Sequence, residues 1–221
     1  MRTSRAVLTT SLLATTVLAG CTSDPGDTRT TETATDDGIE GSVPDNGWWC
    51  RMFDDEIVAA ATGGQTDVAR EVLRKNDDEG WQCEVVLPVD GGPETEAVFT
   101  LTVAVNDDEA ADELRADARA ADAEPGPDYL GESYVFPGTV VAILPCGGPV
   151  GTELANTQVP YAVSVVAHSE AGRQMTDELV SPARRTVVDL DMTTGCSPKL
   201  AQRPDGGDGD GSTATEAPPQ G

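Results

Sequence analysis

Histidine occurs once in the 221 residues, at position 168, and lysine only at 75 and 199. Any Ser-His-Asp or Cys-His system would therefore have to be built on His168. That residue closes an alternating run, on the side opposite Tyr161, Val163 and Val165, and reads as a partly exposed histidine without a role. No serine stands in a G-x-S-x-G frame, and Ser197-Pro198-Lys199 lacks the S-x-x-K spacing. No G-x-G-x-x-G and no P-loop occurs; the glycine pairs at 63–64, 91–92 and 147–148 fall at predicted element ends and read as turns. There is no C-x-x-C, and the one histidine is remote from the cysteines in sequence, so no zinc site is expected. No catalytic residue, cofactor or metal is nominated. Beyond residue 18 no apolar stretch approaches the roughly 20 residues that a membrane-spanning helix needs.

Acid is what the chain has in excess: 39 Asp and Glu against 14 Lys and Arg, a net charge of −25 at pH 7. Nucleic acid and anionic lipid surfaces repel such a chain, and a charge-steered partner would be basic. Solubility at a cell surface is the plainer reading. With so many carboxylates an Asp/Glu pair is certain somewhere by chance, so a glycosidase dyad can be nominated only by a separation measured across a cleft. Arginine in place of lysine, with abundant Ala, Gly, Asp and Val, suggests a high-GC genome.

Arg2 and Arg5 precede an uncharged run at residues 6–18 (AVLTTSLLATTVL). As a helix it is about 20 Å long, short of the roughly 30 Å hydrocarbon core of a bilayer. A basic start, a short apolar run and small residues at its end form a secretory signal. Leu18-Ala19-Gly20-Cys21 resembles a bacterial lipobox. That resemblance implies a diacylglyceryl group on Cys21 and cleavage before it, so that residues 1–20 are removed. Arg2 and Arg5 go with them and no acid does, which moves the net charge from −25 to about −27. Two acyl chains suffice for stable anchoring, at about 0.8 kcal/mol per buried methylene. The lipid on Cys21 is the expected membrane contact, on the extracytoplasmic face.

Residues 21–47 read as the lipidated cysteine and a disordered acidic tether, since they carry too few apolar side chains to offset the entropy of ordering. Residues 201–221 read as a second disordered acidic tail. Its DGGDGDG run lacks the spacing and closing glutamate of an EF-hand loop. The span 48–200 is long enough for one domain. Residues 53–62 (FDDEIVAAAT) predict a helix with Phe53, Ile57, Ala60 and Ala61 on one stripe, ended by Gly63-Gly64. Residues 68–74 fit helix or strand, with strand preferred; 76–80 predict a turn and 81–87 a strand. Residues 97–105 alternate, with Phe99, Leu101, Val103 and Val105 on one side. Asn106 or Asp107 can cap a helix burying Ala110, Leu114, Ala118 and Ala121. Residues 139–144 (TVVAIL) form a continuous apolar run fit for a central strand, and 161–168 alternate again. Ser169 can cap a helix carrying Met175, Leu179, Ala183, Val187 and Leu190, which Pro182 should kink or divide.

Strand, strand, helix thus occurs twice, and VVLPVDGGPETE before the first alternating strand parallels AILPCGGPVGTE before the second. Chance recurrence of a common unit is the competing reading. Two such units predict an α+β fold: one antiparallel sheet with helices packed on one face.

With Cys21 assigned to lipid, Cys50, Cys83, Cys146 and Cys196 remain, an even number in an exported chain, which reads as two disulfides with three possible pairings. The plan resembles the small actinobacterial envelope lipoproteins of the DUF3558-type group. The features that carry it are the lipobox, the Thr/Asp-rich tether, Trp49-Cys50 before a helix ending in Gly63-Gly64, Gln82-Cys83-Glu84 opening a strand, Leu144-Pro145-Cys146 closing one, and Thr194-Gly195-Cys196. The resemblance implies an envelope lipoprotein with a small α+β domain, and no activity. Pairing Cys50–Cys83 and Cys146–Cys196 matches both it and the duplicated plan. A Cys50–Cys83 bond would gather Trp48, Trp49 and Trp81, either as a core staple or as an exposed aromatic patch for a partner or glycan. The functional expectation is a non-enzymatic binding or accessory module acting on an exported or membrane protein. The alternatives are a carboxylate-dependent cell-wall hydrolase and a structural or immunity-type surface protein.

Overall fold

The computed structural model describes residues 40–148 and 157–198. The signal segment, Cys21, most of the tether and the 201–221 tail lie outside the described residues. In chain order the elements are β1 (Trp48–Trp49), β2 (Phe53–Asp54), α1 (Asp55–Ala61), β3 (Arg70–Asp77), β4 (Gly80–Pro88), β5 (Thr95–Val105), α2 (Asp108–Ala120), β6 (Glu124–Pro125), a 3-10 turn (Asp128–Leu130), β7 (Glu132–Phe136), β8 (Thr139–Gly147), β9 (Gln158–Ala167), α3 (Glu170–Arg173) and α4 (Thr176–Thr194). Strands β3-β4-β5-β9-β8-β7-β6 make one antiparallel sheet, and β1-β2 a separate small hairpin. The α+β class and the antiparallel sheet agree with the alternation in the sequence.

Side chains of a strand alternate between faces. Phe99, Leu101 and Val103 of β5, Val163 and Val165 of β9, and Val140, Ala142 and Leu144 of β8 all join one core. There they meet Phe53, Ile57 and Val58 from the hairpin and α1, and Leu179, Ala183 and Val187 from α4. Phe53 stacks on Phe99 with ring centroids 4.8 Å apart. The intervening residues, Ile143 and Ala162, pack instead with Ala111 of α2. The helices therefore divide between the faces, with α2 opposite α1 and α4, where one shared face was expected. The reason lies in the run at 139–144, which is apolar on both sides of the strand and so needs cover on both. The order strand, strand, helix does recur, as β4-β5-α2 and β8-β9-α3-α4, and β5 pairs with β9 at the centre. Helices on opposite faces mean that no single rotation relates the two units.

Local signals hold with small shifts. The helix expected from residue 53 begins at Asp55, because Asp54 is its N-cap, accepting the Ile57 N–H at 3.0 Å, while Phe53 pairs across the hairpin with Trp49. Val58, not Ala60, completes its buried stripe. Asp107 caps α2. In α2, Ala111 and Ala118 are the buried residues, whereas Ala121 is exposed beyond the helix end. Ser169 caps only the one-turn α3, and the break falls at Gln174–Met175, while α4 continues through Pro182. Gly172 accounts for the tight α3 turn, since a Cβ there would come within 2.9 Å of Ala167 Cβ and Ser169 Oγ.

Residues 40–42, read above as tether, run beside the β3 edge. Ser42 and Glu71 exchange backbone hydrogen bonds at 3.0 and 2.7 Å, and Glu40 pairs with Arg74 at 3.0 Å. Backbone pairing requires no apolar side chain, which is why composition does not reveal it. No helix among the described residues is long and apolar enough to cross a membrane.

Candidate functional site

Both disulfides exist in the expected pairing, Cys50–Cys83 and Cys146–Cys196. The first closes the tight β1-β2 turn onto β4; the second ties the C-terminal end of α4 to β8. Within the β1-β2 turn the Met52 N–H reaches the Trp49 carbonyl at 3.0 Å, and Cys50 and Arg51 have φ of 49° and 61°. Two successive non-glycine residues in the left-handed region cost on the order of 1–3 kcal/mol each. The disulfide and the Glu71 carboxylate, which accepts the Cys50 N–H at 2.7 Å, hold them there. Burial pushes the Glu71 carboxyl above its ordinary value, against the Cys50 hydrogen bond and the nearby Arg51 charge, which lower it.

The strained turn forms one wall of a groove, and α4 forms the other. A depression of about 660 Å³ lies between them, bordered by Trp48, Arg51, Met52, Arg184, Arg185, Val188 and Met192 among others. A second one, of about 250 Å³, adjoins it through Arg51, Met52 and Asp189 and reaches Trp81, Tyr161 and Asp77. On α4 the residues at 184, 188 and 192 recur every turn and line the groove, while 179, 183 and 187 face the core. Val188 is 46 % and Met192 75 % exposed, and Trp48 is 38 % exposed beside them.

Arg185 joins the two walls. Its guanidinium donates to the Met52 carbonyl at 2.8 Å, pairs with Asp54 at 3.2 Å and lies 4.3 Å from the Trp48 ring centroid. Arg184 sits 5.2 Å from the half-exposed Tyr129 ring.

The three tryptophans separate. Trp48 opens on the larger depression and Trp81, half-buried, on the smaller. Trp49 belongs to no surface patch: it is 1 % exposed, and its indole N–H donates to Asp55 at 2.7 Å. Adjacent residues of a strand point to opposite sides, so Trp48 and Trp49 cannot share a face. Arginines, with Asp189 among them, border the larger depression. Sequence reasoning missed Val188, Met192, Arg184 and Arg185. Their signal is a second, outward stripe on α4 at helical spacing, off the line of Leu179, Ala183 and Val187.

His168 is exposed, and its Nε2 lies 2.8 Å from the Thr100 hydroxyl on the sheet face opposite the main core. Among the described residues one group of metal-ligating types converges, Cys50, Glu71 and Cys83. Its two sulfurs are bonded to each other, which removes the thiolates that a metal would need. Cys21 lies outside the described residues. No family model, no curated protein and no solved structure matches this chain.

Proposed function

We propose that the protein is a lipid-anchored extracytoplasmic binding module of the DUF3558-type lipoprotein kind, and that the groove between the β1-β2 turn and α4 holds a segment of another exported or membrane-embedded protein. One observation carries the reading: Val188, Met192 and Trp48 are exposed together beside the anchored guanidinium of Arg185, on a chain whose charge is otherwise overwhelmingly acidic. Exposed apolar side chains gathered in a depression are the usual mark of an interaction site. The strained turn adds to it, since backbone strain concentrates where function needs a particular shape. The test is crosslinking in intact cells, wild type against a folded Trp48→Ala, Met192→Ala variant. Capture of a partner that the variant loses supports the reading; no capture with either protein refutes it.

The second reading, a carboxylate-dependent cell-wall hydrolase, would draw on Asp77 and Asp189, which both line the smaller depression. Turnover of purified cell-wall glycan or peptide by the wild type, abolished in Asp189→Asn, would establish it instead.

A further inference from the structure

The groove is specific in its chemistry as well as its place. Around the larger depression stand Arg51, Arg184 and Arg185 against the single carboxylate of Asp189. Arg185 is committed to Met52, Asp54 and Trp48. Arg51 and Arg184 are exposed and form no ion pair among the described residues. Trp48, Met52, Val188 and Met192 line the same depression.

Resting on the binding reading above, we infer that the groove takes a short peptide segment of another exported protein bearing two or three carboxylates around a bulky apolar side chain. The carboxylates meet Arg51 and Arg184, the first of which is presented by the strained turn. The apolar side chain lies against Val188, Met192 and Trp48. From Arg184 to Met192 the helix rises about 12 Å, which matches roughly four residues of extended peptide.

The overall charge sharpens the choice. Within the Debye length of about 8 Å the acidic surface repels an anion, and beyond it that repulsion is largely screened. A polyanion such as nucleic acid meets that repulsion along its whole length. A segment with few charges meets little of it, and gains the guanidinium contacts and apolar burial once seated. A basic segment would be steered toward the molecule but would face Arg51, Arg184 and Arg185 in the groove. The chain's own residues 201–221 carry Asp205, Asp208, Asp210 and Glu216, yet nothing apolar larger than Ala and Pro. They satisfy the charge requirement and leave the apolar one unmet, which disfavours that tail as the occupant.

The experiment places a photo-crosslinking amino acid at Val188, and separately at Met192, in the full lipidated chain in intact cells, and sequences the linked peptide. It is repeated with Arg51→Glu, Arg184→Glu and, as a milder change, with Arg184→Gln; circular dichroism of each purified chain confirms folding. The expected result is linkage to an acidic, apolar segment of another exported protein. Its yield should fall roughly tenfold or more in the charge-reversed double variant and less in the glutamine variant, as for loss of close charge pairs. Linkage to a neutral or basic segment, or a yield indifferent to charge reversal, overturns this inference and leaves the binding reading standing. Linkage to residues 201–221 or to a second copy of the chain overturns it too. Linkage to nothing overturns both.

Discussion

Arg185 shows how much one side chain can organise. Its hydrogen bond to Met52, its ion pair with Asp54 and its stacking on Trp48 join two elements more than 130 residues apart in sequence. Both carboxylate and guanidinium are about one-third exposed, so the ion pair contributes modestly. Replacing Arg185 by Ala should destabilise the fold by about 1–3 kcal/mol, chiefly through the charge-assisted hydrogen bond. Arg185→Lys should recover only part, because an ammonium cannot stack and fork in the same way; urea unfolding of both variants measures it. Glu132 is a deeper case. It is buried, and Arg115 grips both of its oxygens at 2.7 Å while the Tyr134 hydroxyl donates at 3.1 Å. Arg115→Met strands that charge and should cost about 3–5 kcal/mol. Glu71 carries a pH effect of definite sign. Its folded-state pKa is raised by burial, so the folded protein prefers the protonated carboxyl. That contribution is full below the ordinary value of 4.5 and is lost as pH rises through the folded value. Glu71→Gln keeps an acceptor for the Cys50 N–H. It should therefore raise stability relative to wild type at neutral pH and flatten the pH dependence above 4.5, measured by unfolding at pH 4 and pH 7.

At the scale of elements, the β1-β2 hairpin and α4 depend on the disulfides. The bridges span 33 and 50 residues of sequence, each contributing about 4 kcal/mol in the chain-entropy account. Cys146→Ser, Cys196→Ser should lower the melting temperature and loosen the end of α4. Cys50→Ser, Cys83→Ser should do more than destabilise: the strained turn loses its brace, so crosslinking through Val188 should drop even at temperatures where the fold persists. Equal crosslinking in that variant at full foldedness would show that the turn does not shape the groove. The elements themselves were largely legible. Alternation marked β5 and β9, Asp107 and Ser169 marked helix starts, and 68–74 preferred strand. The α3–α4 break was not legible: it falls at Gln174–Met175 and not at Pro182, which α4 accommodates.

The whole molecule is an acidic body with a small cationic, apolar groove. At this scale the lipid is the decisive expectation. Cys21→Ala should shift the protein from the membrane fraction to the soluble one, and intact mass of the wild type should show the diacylglyceryl group. A wild-type chain that is soluble and unmodified would remove the anchor from the proposal. The amino-acid sequence by itself determined what depends on near neighbours along the chain: the alternating strands and the helix caps. Tertiary structure decided what depends on partners far away: α2 on the second face, Trp49 inside while Trp48 stays out, and Arg51 brought beside α4. Periodicity states which residues share a face, but only long-range pairing and packing determine which face meets the core and which meets water.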